Sequence, residues 1–246
     1  MTAWETISCP VCGGEDFNHL FDKAGEPFVR CTGCGLTLIN PRPDFSAIRQ
    51  GYDAAYSAGY TRKATKKLRR ARGRVKRLQQ RYRLGGRWLD VGCSAGFVVK
   101  AAEEAGFEAH GVDLEASAIE YGRETLGLAS VSVGLLHEQA YPDAWFNVIS
   151  AYDVIEHVPD LHAFVAELKR ILSPVGVLDL GTPDIGHWRV PRRLESWPEF
   201  KPSEHLYYFN RGTLTRLLAQ HDLEVVRVRF ALKPGLKIYA RHRRVA

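Results

Sequence analysis

Between residues 87 and 182, short apolar runs alternate with stretches whose apolar positions recur at helical spacing. Arg87–Val91, Glu108–Val112, Ala129–Val133, Trp145–Ala151 and Val175–Leu180 predict strands. Phe97–Ala105, Ala116–Thr125 and Leu161–Leu172 predict helices. In the last of these, apolar residues stand at 161, 164, 165, 168, 171 and 172. Gly106, Gly127 and Ser173-Pro174 supply the stops. Strands alternating with helices predict an α/β fold with a mostly parallel sheet, right-handed crossovers and helices on both faces. A ligand of such a sheet sits beyond the carboxyl ends of its strands.

The flanking blocks read differently. Residues 1–40 are rich in Cys and Gly with little helical periodicity. Residues 41–86 open with Pro41-Arg42-Pro43 and become helical, with Leu68, Val75 and Leu78 on one face. Residues 183–246 begin as a loop rich in Pro and Trp, then give a helix from near Thr213 and two strand-like runs. The expected domains are therefore 1–40, a helical connecting segment 41–86 and the α/β domain 87–246.

Charge sharpens this division. Thirteen Lys and Arg fall between Arg62 and Arg87, with no acid between Asp53 and Asp90; removing them from the net +6 leaves the remainder at −7. Basicity is thus one local stripe. It reads as a solvated helix face, as an attraction for an anionic small acceptor, or as an RNA-binding surface. No apolar run reaches about 18 residues, so no membrane insertion is expected. The polar first 20 residues do not read as a signal peptide, which makes a cytoplasmic location the expectation. Nothing in the sequence sets the oligomeric state.

Four of the five cysteines lie in the first 34 residues, as Cys9-Pro10-Val11-Cys12-Gly13 and Cys31-Thr32-Gly33-Cys34-Gly35. Two such knuckles suit tetrahedral zinc. A 40-residue block with so small a core needs a staple of this kind. Four protein thiolates leave the metal no open position, so its expected role is structural.

The sharpest pattern is Trp88-Leu89-Asp90-Val91-Gly92-Cys93-Ser94-Ala95-Gly96, a buried strand running into a glycine-bearing turn and a helix N-terminus. Asp113 closes the next strand, placed to accept hydrogen bonds from ribose hydroxyls. Asp90, two residues before the first glycine, would repel a pyrophosphate but favours a sulfonium cofactor bearing an ammonium group.

Asp90–Gly96 resembles the first motif of class I S-adenosylmethionine-dependent methyltransferases, with Ser94 where that family usually has glycine. Gly111-Val112-Asp113-Leu114 looks like its ribose-binding strand end. Residues 146–158 look like its fourth strand and following loop, with Asn147 where Asp is common. Residues 168–176 look like the approach to its fifth strand. The resemblance covers roughly 85–240. It implies a Rossmann-like, seven-stranded, mostly parallel sheet and S-adenosyl-L-methionine held by Asp90, Gly92, Cys93, Ser94, Gly96, Asp113, Leu114 and Asp153. Cys93 reads as a packing residue rather than a nucleophile. Leu135 and Leu136 are further candidates to flank adenine, and His157 is a candidate either to organise the loop after the fourth strand or to line the site.

The Cys-rich ribbon followed by Ile39-Asn40-Pro41-Arg42-Pro43 resembles the N-terminal module of bacterial methyltransferases acting on small molecules, among them sugar-nucleotide C-methyltransferases. Glu204-His205-Leu206-Tyr207-Tyr208-Phe209 is similar to an element of the same group in which a Glu-His pair is implicated in proton removal. Carried over, Glu204 and His205 are the candidate catalytic residues, while Tyr52, Tyr56 and Tyr60 are candidates to close over the site. The expected partner is a small-molecule acceptor, anionic if the basic stripe attracts it. Two alternatives stay open. One is an RNA methyltransferase using the basic stripe and ribbon, although the Asn/Asp-Pro-Pro-aromatic motif of many nucleic-acid methyltransferases is absent after strand four. The other is a non-catalytic cofactor-binding protein.

Overall fold

The computed structural model describes residues 4–43 and 63–244. Tyr52, Tyr56 and Tyr60 lie outside the described residues. The elements run β1 Trp4–Glu5, β2 Phe17–Lys23, β3 Glu26–Cys31, β4 Thr37–Ile39, β5 Arg42–Pro43, α1 Ala64–Tyr82, β6 Arg87–Val91, α2 Phe97–Glu104, β7 Glu108–Asp113, α3 Ala116–Leu126 and β8 Val131–Val133. They continue as β9 Phe146–Tyr152, α4 Leu161–Ile171, β10 Leu172–Thr182, β11 Tyr207–Tyr208, α5 Arg211–Ala219, β12 Leu223–Arg229 and β13 Leu236–His242. Two compact units share the chain. One comprises residues 52–152 and 166–179, the other 1–51, 153–165 and 180–246, so that α4 and β10 belong in part to each.

In the unit built around 52–152, strands follow the order β10-β9-β6-β7-β8, and the β6–β7, β6–β9 and β7–β8 pairings are parallel. Trp88, Leu89, Val148 and Ile149 are fully buried, as the central strands of a sheet covered on both faces require. Through the shared β10 the order continues to β13 and β12, an antiparallel pair, which completes a seven-stranded Rossmann-like sheet. The expected mostly parallel α/β architecture is present.

Helix α1 lays Ala71, Val75 and Leu78 inward, with Leu68 half-buried. Its cations are not all idle on the surface: Arg72 reaches Glu104 with Nε to Oε2 at 2.6 Å, and the Arg74 guanidinium stacks 3.3 Å from the centre of the Tyr152 ring. Asn147, standing where an acid was the family expectation, accepts the Arg87 backbone N–H at 2.9 Å and so ties the mouths of β6 and β9 together.

One boundary differs from its sequence reading. Helix α4 ends at Ile171, and β10 starts at Leu172 and includes both Ser173 and Pro174. A proline lacks only an N–H, and near the first residue of a strand no ladder bond need be lost.

In the other unit, β2 and β3 form a hairpin closed by Ala24-Gly25, both at positive φ, the two-residue turn whose twist matches the flanking strands. β4 pairs with β3, and β11 pairs antiparallel with β4, Tyr207 opposite Leu38 and Tyr208 opposite Thr37. The ribbon's sheet is thus completed by residues from late in the chain. Phe28, Ile39, Trp197, Phe200 and Tyr208 form its aromatic core. Helix α5 starts at an Asn210–Thr213 capping box, the Asn210 Oδ1 accepting the Thr213 N–H at 3.0 Å.

Gly96 caps α2 at φ 76°, and a Cβ there would lie 2.2 Å from Leu128 Cδ1. Gly96→Ala is expected to lower stability by about 1–3 kcal/mol, read as a lower urea midpoint with an unchanged denaturant slope.

Candidate functional site

The end of β6 carries a carboxylate that is almost wholly out of water. Asp90 is 4% exposed. Its Oδ1 accepts the Ser150 hydroxyl at 2.5 Å, and Ser150 in turn accepts the Trp88 indole N–H at 2.8 Å. Burial pushes the Asp90 carboxyl up to about 7, against the opposing pull of Ser150 and Arg74. Beyond it the chain turns through Gly92 and Ser94, both at positive φ, before Gly96 opens α2. Ser94 therefore adopts the left-handed backbone that favours glycine.

Asp113, at the end of the neighbouring β7, accepts the Ser94 N–H on Oδ2 at 2.7 Å and the Glu115 N–H on Oδ1 at 2.9 Å. One carboxylate thereby ties the glycine turn to the next strand end, and each oxygen keeps a second lone pair for a hydroxyl. Its own pKa is raised by burial. Cys93 is buried, and desolvation raises its thiol pKa well above the ordinary range, which suits packing and opposes nucleophilic use. Leu114 and Leu135 are half-buried and Leu136 is buried. Tyr152, under the Arg74 guanidinium, donates its hydroxyl to Asp179. These groups give one compact cradle: a glycine turn, two strand-end carboxylates and a cation.

Asp153 belongs to the other unit. It is exposed, at φ 56°, and its N–H is held by the Gly181 carbonyl at 2.8 Å.

Among the described residues, two clusters of potential metal ligands occupy that second unit. Cys9, Cys12, Cys31 and Cys34 bring their sulfurs within 4.8 Å of one another, with Cys9–Cys34 at 3.5 Å and Cys12–Cys31 at 3.4 Å. The Gly13 and Gly35 N–H groups close each knuckle onto the carbonyls of Cys9 and Cys31. Four converging thiolates fit tetrahedral zinc with no open position.

The second cluster is Glu156, His157 and His205, whose ligating atoms also lie within 4.8 Å of one another. Burial pushes Glu156 up to about 8 and draws His157 down to about 4 and His205 to about 3. Glu204 has a different setting. Its side chain is 48% exposed beside Lys201, and its carbonyl accepts His157 Nδ1–H at 2.7 Å.

With this geometry in place, the comparisons are direct. A model of the methyltransferase domain family matches residues 60–228. The chain belongs to this family. It is 25% identical over 146 residues to a ubiquinone biosynthesis O-methyltransferase of Rhodopseudomonas palustris, covering 52% of this chain and 57% of that one. It is 31% identical over 137 residues to a probable S-adenosylmethionine-dependent methyltransferase of Mycolicibacterium smegmatis, covering 56% and 51%. The chain thus spans about half the length of the curated relatives it matches. Among solved structures, a TehB-like SAM-dependent methyltransferase from Corynebacterium glutamicum aligns at TM-score 0.57 and 17% identity, over 78% of this chain and all of that one. That likeness shows a shared fold. The match to the methyltransferase family bears out the resemblance drawn from Asp90–Gly96.

Of the residues singled out from sequence, Asp90, Gly92, Cys93, Ser94, Gly96, Asp113 and Leu114 lie at the carboxyl ends of β6 and β7 and in the turn and loop that follow. Asp153, Glu204 and His205 lie in the other unit. Sequence reasoning passed over Glu156, Ser150 and Arg74. Glu156 carried a faint signal as the Glu-His dipeptide in the loop after the fourth strand. Arg74 carried none, being one cation among thirteen.

Cys12→Ser is expected to reduce thiolate-bound zinc from one per chain and to loosen the ribbon. Metal analysis and the near-ultraviolet dichroism of its aromatic core read the two effects.

Proposed function

We propose that this chain transfers the methyl group of S-adenosylmethionine to a small-molecule acceptor by in-line displacement, with a structural zinc in its N-terminal ribbon. The observation that carries the reading is the pairing of a buried strand-end carboxylate, Asp90, with a glycine turn pinned by Asp113. When bound, the cofactor supplies a methyl group already activated on sulfur, so alignment and proton removal are what remain for the protein.

In this reading Asp113 holds the ribose hydroxyls and the Gly92–Gly96 backbone lines the adenosine. Leu114 packs against the base, and Asp90 faces the ammonium end of the methionyl group. On the acceptor side Glu204, the exposed member of the Glu204–His205 pair, takes the acceptor's proton. Several curated relatives carry the name ubiquinone biosynthesis O-methyltransferase, which makes a hydroxyl the first acceptor class to try.

The identifying experiment incubates the protein with isotopically labelled methyl donor and a metabolite extract, and reads the labelled product by mass spectrometry. Absence of label from every product, with the donor bound, would leave a cofactor-binding protein rather than an enzyme.

Asp113→Ala is expected to weaken donor binding by about 10–100-fold, measured by calorimetry; unchanged affinity contradicts the ribose assignment. Asp90 is mostly neutral below its pKa of about 7 and charged above it. Affinity for the cationic donor should therefore rise from about pH 6 to about pH 8, and Asp90→Asn should flatten that rise. Glu204→Gln is expected to keep donor affinity while losing about 100-fold or more in turnover; full turnover removes Glu204 from the mechanism.

A further inference from the structure

The loop after β9 and the segment leading into β11 bring together three titratable residues that could ligate a metal. Glu156 is 1% exposed, His205 is 2% exposed, and His157 is half-buried, its ring centre 4.6 Å from that of His205. A carboxylate removed from water needs a cation or a full set of donors. Glu156 has the Thr182 hydroxyl on Oε2 at 2.9 Å, while Oε1 is buried with no partner among the described residues. His205 Nδ1 is likewise buried with no partner among the described residues. Two orphaned polar atoms thus sit in one cluster, where burial alone would be destabilising.

The outer contacts are of the kind that orient metal ligands. His157 donates Nδ1–H to the Glu204 carbonyl at 2.7 Å, which selects the tautomer whose Nε2 carries the lone pair. Thr182 fixes one Glu156 oxygen, and the carboxylate lies within 4.8 Å of a ring nitrogen of each imidazole. The Leu206 N–H, bonded to the Glu156 carbonyl at 2.8 Å, stitches the two segments at Glu156 itself and at the residue after His205.

We propose that Glu156, His157 and His205 form a second metal site, distinct from the four-cysteine ribbon, which takes one divalent transition-metal ion through one carboxylate and two neutral imidazoles. Nitrogen and oxygen donors select a borderline ion of the zinc, iron(II) or cobalt(II) class rather than magnesium or calcium, which prefer all-oxygen sites. Three protein ligands leave positions open to an exchangeable oxygen, from water or from a hydroxyl-bearing ligand. The ribbon offers no such opening. The assignment stands on these residues and not on the methyl-transfer reading.

The test uses the full-length chain with its ribbon already loaded with zinc, and cobalt(II) as the probe. One cobalt per chain is expected, with weak ligand-field bands and without the intense thiolate-to-cobalt charge-transfer absorption that replacement in the ribbon would give. Glu156→Gln and His205→Ala are each expected to weaken cobalt binding at least about tenfold, with ribbon zinc and the donor affinity measured by calorimetry retained. Because either variant could unfold the loop, the wild-type protein supplies an independent reading. Its cobalt form should show two paramagnetically shifted, exchangeable imidazole N–H resonances. Failure to take up cobalt beyond the ribbon, charge-transfer bands alone, or undiminished binding in both folded variants overturns the proposal. Loss of turnover in Glu204→Gln bears on the methyl-transfer reading and leaves this one untouched.

Discussion

Asp90 lies at the end of a central parallel strand, where apolar neighbours on both faces shut out water, and a single serine hydroxyl offsets the loss of hydration at one oxygen. That arrangement is unfavourable for an isolated anion, which is why the carboxyl is pushed up toward neutrality. The surrounding structure is organised around keeping it there. Trp88 orients Ser150, Ser150 orients Asp90, and the chain that follows must leave the sheet at once through backbone conformations that few side chains tolerate. Asp113 then pins that turn from the next strand. The site is therefore pre-formed: its donors are positioned by strand ends rather than by mobile side chains.

The second unit solves a different problem. Its sheet is small and its ribbon has little core of its own, so it recruits Tyr207 and Tyr208 as a fourth strand and packs Trp197 and Phe200 against Phe28. The same recruitment carries His205 toward Glu156 and His157. The residue that completes the ribbon's sheet and the residue that completes the second ligand cluster thus lie two positions apart, at 207 and 205.

Legibility from sequence followed the range of the interaction. The strands β6, β7 and β9 were readable because a buried parallel strand is a continuous apolar run, and the helices between them because one face repeats at 3.6 residues. The glycine turn and Asp113 were readable because the strand–turn–helix–strand series is contiguous. Four cysteines in two close pairs were readable as one cluster, since each pair is local and their sulfurs converge. By contrast the start of β10 was hidden, since Pro174 reads as a breaker although a strand's first residues can do without its N–H.

By itself, then, the sequence determined the α/β alternation, the glycine turn with its two strand-end carboxylates, the four-cysteine knuckles and the family. Each is set by residues near one another along the chain, where spacing stands in for geometry. Tertiary structure alone decided that Ser150 holds Asp90, that Arg74 rather than another of thirteen cations stacks on Tyr152, and that Glu156, His157 and His205 converge. Those outcomes depend on which buried polar atoms find partners once the chain has closed on itself, a condition that no local pattern of residues encodes.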